Sequence, residues 1–128
     1  MILTGAGGVF CSGLDLGKMG ESPTEPSIAA LNGDAYAGGL ELALHCDIRI
    51  AVNNARFGMP VARIGIVVPY PLILKLIDTV GGPTTSELLF SGEPLSAERA
   101  HQLAMVNRVV SPDELTSAGR ALAHSIAA

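Results

Sequence analysis

The stretch that decides the fold is residues 32–47, NGDAYAGGLELALHCD, in which a turn of small residues leads directly into an apolar helix. The first N–H groups of a helix have no intrahelical partner, and the peptide dipoles add partial positive charge at that end. Gly38 and Gly39 carry no side chain that would keep a ligand away from these donors. Glu41 lies three residues after Gly38, near enough to act on the same ligand. Donors beside one carboxylate are typical of an oxyanion hole with an acid or base next to it.

A glycine turn followed by a glutamate also occurs as ordinary turn chemistry, because the helix dipole alone favours a glutamate there. A second segment, residues 1–16, favours the functional interpretation over this one. It reads MILTGAGGVFCSGLDL, a short apolar strand followed by a glycine-rich turn and FCSGLD. Together the two segments resemble the crotonase, or enoyl-CoA hydratase/isomerase, family. The resemblance continues through CDIRIA (46–51), NARFGMP (54–60), SGEPLSAE (91–98) and VNRVV (106–110), in the order that this family uses. It implies an α/β fold, a crotonase-like spiral of β-β-α turns.

The resemblance also implies a set of site residues. Crotonase-like proteins hold the thioester oxygen with two backbone amides, which here would belong to Leu14 and Gly38. Glu41 matches the first of two glutamates in enoyl-CoA hydratases, the one that positions or activates the water added at C3. The substrate-binding positions implied in the same segments are Phe10, Ser12, Gly13, Asp15, Leu16, Gly39, Pro60 and Val61, with Asp15 expected to order its own turn.

One position departs from the family pattern. The second glutamate of hydratases normally follows the proline of the Phe-Gly-x-Pro segment and handles the proton at C2, but here Val61 follows Pro60. A valine cannot transfer a proton. Three interpretations stay open: Glu41 performs both steps on one face of the substrate, the chemistry is a different one, or Val61 shapes a hydrophobic wall.

The leading hypothesis is an enzyme that processes acyl-CoA thioesters, an enoyl-CoA hydratase-like lyase. The alternatives are a catalytically weak or inactive acyl-CoA-binding or assembly protein, and a crotonase-fold isomerase, thioesterase or decarboxylase, because an oxyanion hole serves all of these reactions. We expect no cofactor beyond the coenzyme A of the substrate. We also expect a homo-oligomer, a trimer or hexamer as the family suggests. The cysteines and histidines form no recognisable metal-ligand cluster or disulfide framework.

Composition excludes several other classes of protein. The 128 residues are 48% hydrophobic, enough for one domain with a substantial core. Only 16% are charged, with a net charge of −4 and no basic run, which argues against a nucleic-acid surface. No apolar stretch approaches the roughly 20 residues of a membrane span. We expect a cytoplasmic protein. The chain is predicted to be a single partial crotonase-like domain, 1–128, truncated at both ends and without the helical insertion usual between Asp15 and Pro26.

Local patterns predict alternating strands and helices. Runs rich in Ile, Val and Leu predict strands at 1–3, 27–31, 48–52 and 108–110. Helices are predicted at 39–45, 71–80, 84–90, 97–103 and 113–127, with Ser96 as an N-cap and Pro112 at a helix start. Tyr70, flanked by apolar residues, is predicted to pack rather than to bond a substrate.

Overall fold

Over the residues that the structure describes, the chain folds into eight short strands and five α-helices. The computed structural model describes residues 1–11 and 25–128. The strands are β1 (Ile2–Thr4), β2 (Val9–Cys11), β3 (Ile28–Leu31), β4 (Asp34–Tyr36), β5 (Ile48–Val52), β6 (Arg56–Gly58), β7 (Leu95–Ser96) and β8 (Arg108–Val110). The helices are α1 (Gly38–His45), α2 (Tyr70–Val80), α3 (Gly82–Ser91), α4 (Ala97–Gln102) and α5 (Leu115–Ala127), with 3-10 helices at Pro60–Ile64 and Pro112–Glu114.

The strands form two sheets, and strands β1 to β6 alternate between them. The first sheet has the order β1-β3-β5-β8, with every neighbouring pair parallel. The second has the order β2-β4-β6-β7, in which only β7 is antiparallel to its neighbour. The pairs β1 and β2, β3 and β4, and β5 and β6 therefore each contribute one strand to each sheet. The unit β3-β4-α1 followed by β5-β6 and the helices after it gives the predicted β-β-α turns.

The first sheet lies at the centre of the core. All four residues of β3, IAAL, are buried, as expected for a parallel strand covered on both faces. Helix α5 packs against β3 and β5, whereas α1 packs against β2 and β4. The largest fully buried side chains come from several elements and include Leu31, Leu40, Leu44, Ile50, Phe57, Met59, Leu76, Leu88 and Met105.

Most predicted elements are present, within a few residues of their predicted bounds. The strands at 48–52 and 108–110 are confirmed, and Ser96 caps α4 by accepting a hydrogen bond from the Arg99 amide at 3.1 Å. Helix α5 begins only at Leu115, because the 3-10 helix takes the residues after Pro112. Residue patterns predicted none of the strands of the second sheet. Strands such as β4, DAY, and β6, RFG, lack the run of Ile, Val or Leu on which the strand predictions depend.

Candidate active site

The start of α1 leaves backbone donors without acceptors. Ala37, the residue before the helix, has φ 51° and ψ −118°, and no side chain caps the helix. The Ala37 amide donates to the Gly58 carbonyl at 3.0 Å, and the Ala37 carbonyl accepts the first helical bond from Glu41 at 3.0 Å. The amides of Gly38 and Gly39, however, have no acceptor among residues 1–11 and 25–128. As far as the described residues go, these two N–H groups are open to an anionic oxygen, with the helix dipole behind them.

Strands β4 and β6 hold this turn in place. The Asp34 carboxylate accepts hydrogen bonds from the Arg56 amide at 2.9 Å and from the Arg56 guanidinium at 3.2 Å. The Tyr36 ring covers Gly58 so closely that a Cβ there would lie 3.0 Å from the ring. Burial, and then the nearby Asp34, raises the pKa of the Tyr36 phenol, so Tyr36 stays neutral. Tyr36 therefore packs against Gly58 and supports the turn.

Glu41 is a largely buried carboxylate in the first turn of α1. Its side chain is 14% exposed, and Oε1 lies 3.8 Å from His45 Nε2, one turn further along the helix. The two residues face each other because they are spaced i,i+4 on the helix. The distance is too long for a hydrogen bond, and the pair attracts only when the imidazole is protonated. Glu41 thus places a carboxylate beside the turn of small residues, and its role as acid or base stays a prediction.

The 3-10 helix Pro60–Ile64 carries Pro60 and Val61, both half-buried, and Val61 packs against the core. Gly65 closes this short helix at φ 74°, in the left-handed conformation that glycine tolerates best. Arg63 fastens it to the end of α3, since its guanidinium donates to the Ser91 carbonyl at 3.2 Å and pairs with Glu93 at 2.6 Å. Val61 therefore belongs to an apolar, well-anchored surface.

The described residues contain only part of the predicted site. Gly38, Gly39 and Glu41 share one helical turn, and Phe10 is buried in the core in β2. Ser12, Gly13, Leu14, Asp15 and Leu16 lie outside the described residues, so the partnership of the Leu14 and Gly38 amides stays a prediction. Strand β2, which ends at Cys11, packs against α1.

Two features differ from the sequence predictions or were missed by them. Tyr70 is 69% exposed, so the prediction that it packs is wrong. It is the first residue of α2, in which Leu72 and Leu76 are the buried residues. Sequence reasoning also missed Arg49, a buried arginine that bonds the end of α1; an arginine within the apolar strand IRIAV was the available signal.

Other kinds of site find no support in the described part of the chain. A cavity of about 300 Å³ lies between β1, β3 and α5, bordered by Thr4, Ala30 and Arg120, and none of the predicted site residues lines it. Within residues 1–11 and 25–128, no cluster of three metal-ligating side chains occurs. None of the helices described is both long and apolar enough to cross a membrane.

Comparison with known proteins gives consistent matches. The family model described as enoyl-CoA hydratase/isomerase matches residues 22–128. A short-chain-enoyl-CoA hydratase of Clostridium acetobutylicum is 36% identical over 148 residues, covering 98% of this chain and 57% of the relative. A carnitinyl-CoA dehydratase of Proteus mirabilis is 37% identical, covering 98% and 56%. The solved enoyl-CoA hydratase of Mycobacterium tuberculosis superposes with a TM-score of 0.88 at 44% identity, covering 98% of this chain and 59% of that one.

These matches confirm the predicted fold class. The chain spans somewhat more than half the length of the relatives it matches. An alignment of 148 residues is also longer than this chain of 128, so the clostridial relative has residues inside the matched region that this chain lacks.

Proposed function

The chain belongs to the enoyl-CoA hydratase/isomerase family, and from that membership we propose that it acts as an enoyl-CoA hydratase-like lyase on a 2,3-enoyl-CoA thioester. The observation that carries this proposal is the first turn of α1, where the Gly38 amide, without an acceptor among residues 1–11 and 25–128, and the largely buried Glu41 carboxylate lie together. Relatives named for enoyl-CoA hydration and carnitinyl-CoA dehydration support a reaction of this class.

In the proposed reaction, the Gly38 and Leu14 amides bind the thioester oxygen. The Glu41 carboxylate removes a proton from water as the water oxygen bonds to C3, and the electron pair of the double bond moves onto the thioester oxygen as an enolate. Glu41 then returns that proton to C2, which restores the carboxylate and gives the 3-hydroxyacyl thioester. Each amide donor of an oxyanion hole typically lowers such a barrier by about 3 to 4 kcal/mol. No cofactor other than the substrate's coenzyme A takes part.

Val61 fits a scheme with one carboxylate. It adds an apolar, half-buried surface and no second acid, so the two proton transfers pass through Glu41 on one face of the substrate. The same observation favours a second candidate, an acyl-CoA-binding protein with weak or no turnover. Isomerase, thioesterase and decarboxylase activities differ from hydration in their products, which are a shifted double bond, free coenzyme A and carbon dioxide.

Glu41→Gln tests the proposal directly. We expect crotonyl-CoA turnover, followed by loss of the enoyl-thioester absorbance, to fall by about 10²- to 10⁴-fold, because an amide cannot exchange the proton. The matched control is Glu87→Gln on the exposed surface of α3, which should retain full activity. Full turnover by Glu41→Gln would disprove the role of Glu41. Binding of crotonyl-CoA without turnover by intact wild-type protein would instead favour the binding protein.

We also propose that the protein forms a homo-oligomer, a trimer or hexamer as the family suggests. Support comes from an exposed apolar stripe on α2, formed by Tyr70, Leu74 and Ile77 with exposed fractions of 69%, 43% and 40%. Phe90 on α3, 80% exposed, adds to the apolar surface of this helix pair. Exposed apolar groups at such spacing are typical of a helix face that packs against another chain.

A further inference from the structure

Arg49 in β5 binds the carboxyl end of α1 with a buried guanidinium. The residue is 9% exposed. Its Nη1 donates to the carbonyls of Cys46 at 2.7 Å, Ala43 at 3.1 Å and Leu44 at 3.4 Å, all in or just after the last turn of the helix. Its Nε donates to the Met105 carbonyl at 2.6 Å, after α4. One side chain thus ties the end of α1 to the segment that leads into β8.

No carboxylate pairs with this cation in the described parts of the chain. The neighbouring Asp47 carboxylate accepts from the Ser27 amide at 2.8 Å and the Ser27 hydroxyl at 3.0 Å, and these bonds hold the Asp47 pKa below its usual range. Burial lowers the pKa of Arg49, but a guanidinium remains charged in proteins. The positive charge is therefore balanced by carbonyl oxygens and by the negative end of the α1 dipole.

The backbone of Arg49 is fixed as firmly as its side chain. The Arg49 amide donates to Asn107 Oδ1 at 2.8 Å, and the Asn107 amide donates to the Arg49 carbonyl at 2.8 Å. Since β5 is a central strand of the first sheet, Arg49 connects the end of α1 to a rigid part of the molecule.

We propose that Arg49 is a positioning residue that sets the direction in which the first turn of α1 presents Gly38 and Glu41. The helix has eight residues, about 12 Å at 1.5 Å per residue, and behaves as one rigid piece. Fixing its last turn therefore fixes its first turn, which directly precedes it. This inference rests on the proposed function, because the first turn matters to turnover only where Gly38 and Glu41 act on the thioester.

An arginine is required because the acceptors lie on two sides of a planar group. Nη1 faces the carbonyls that end α1, while Nε faces Met105. Lysine has a single ammonium on a flexible stem and cannot reproduce this fork. Arg49→Lys therefore keeps the charge and loses the geometry, which separates positioning from simple charge balance.

The test compares Arg49→Lys with Arg108→Lys, a control on β8 in which an exposed arginine lies opposite Ile50 of β5. For crotonyl-CoA, we expect Arg49→Lys to lower kcat on the order of 10- to 100-fold with KM changed less than about threefold, since misplacement by 1 Å can cost about 10²-fold. Arg108→Lys should match wild type. An unchanged kcat in Arg49→Lys would overturn the proposal.

Amide hydrogen exchange supplies a readout that does not depend on turnover. Arg49→Lys should speed exchange in α1, at residues 41–44, while the strands β3 and β5 stay protected. Faster exchange throughout the molecule would mean that Arg49 is a general stability residue, and would overturn the positioning role. If the wild type itself shows no turnover, the proposed function fails, and exchange in α1 alone decides whether Arg49 orients this helix.

Discussion

The most informative residues lie next to one another in the chain. Gly38 and Glu41 could be located from sequence because a helix start and its first turn are local features, and the structure places them together. Arg49 could not be interpreted in the same way, because the side chain joins the end of α1 to Met105, which lies 56 residues further along the chain. At the residue scale, the sequence reveals chemistry carried by neighbours and conceals chemistry assembled from distant segments.

Val61 offers a test of the site at this scale. Val61→Glu places a carboxylate where hydratases carry their second glutamate, and we expect crotonyl-CoA turnover to rise at least about tenfold, because a general acid typically contributes 10² or more. The side chain is half-buried, so the free energy of unfolding should fall by about 1 to 3 kcal/mol. Val61→Gln is the matched control, with a similar loss of stability and no gain in rate. If Val61→Glu turned over crotonyl-CoA no faster than Val61→Gln, position 61 would not face the reacting carbons.

Among the elements, the longest ones were the most predictable. Helices α2 and α3 and strand β5 carry enough apolar residues to show their period or their β propensity, and all three were predicted within a few residues. The second sheet was not predicted, because strands such as β4, DAY, and β6, RFG, contain polar or small residues in place of a run of Ile, Val or Leu. Their stability comes from pairing with neighbours across the sheet, which no local window contains.

The start of α1 gives a prediction at the element scale. Ala37 adopts φ 51° and ψ −118°, a conformation that glycine tolerates far better than alanine. We therefore expect Ala37→Gly to raise the free energy of unfolding by about 1 kcal/mol, the strain relieved exceeding the extra freedom of glycine in the unfolded chain. Urea denaturation measures this change.

The control for Ala37 is Ala121→Gly, at an exposed position inside α5, which should destabilise by about 1 kcal/mol because its backbone is helical. Destabilisation of both variants by similar amounts would contradict the strain assigned to Ala37.

The whole molecule combines a well-packed parallel sheet with an apolar surface on α2. The general fold followed from the resemblance of segments spread over the chain, and comparison with solved hydratases confirms it. The partly exposed face of α2 was not foreseen, because an alternation of apolar residues in sequence does not tell which side of a helix meets the core. Leu72 and Leu76 turn inward, while Leu74 and Ile77 remain exposed.

Replacement of both exposed residues tests the proposed oligomer. We expect Leu74→Lys with Ile77→Lys to convert the wild-type assembly to smaller species, because two buried charges without partners disfavour an interface. Size-exclusion chromatography with light scattering measures the mass. Ile126→Lys on α5, at an equally exposed position, should leave the assembly intact. A wild-type protein that already runs at the single-chain mass of 13.1 kDa would contradict the oligomer.

The links made by Arg49 also bear on the order in which the protein is made. Its bonds to Met105 and Asn107 join residues 56 and 58 positions apart, and both partners follow α4. During synthesis, the turn containing Gly38 and Glu41 leaves the ribosome long before these partners exist. Closure of such long loops is among the slower steps of folding. The nascent chain therefore carries α1 without this anchor until Met105 and Asn107 have been made.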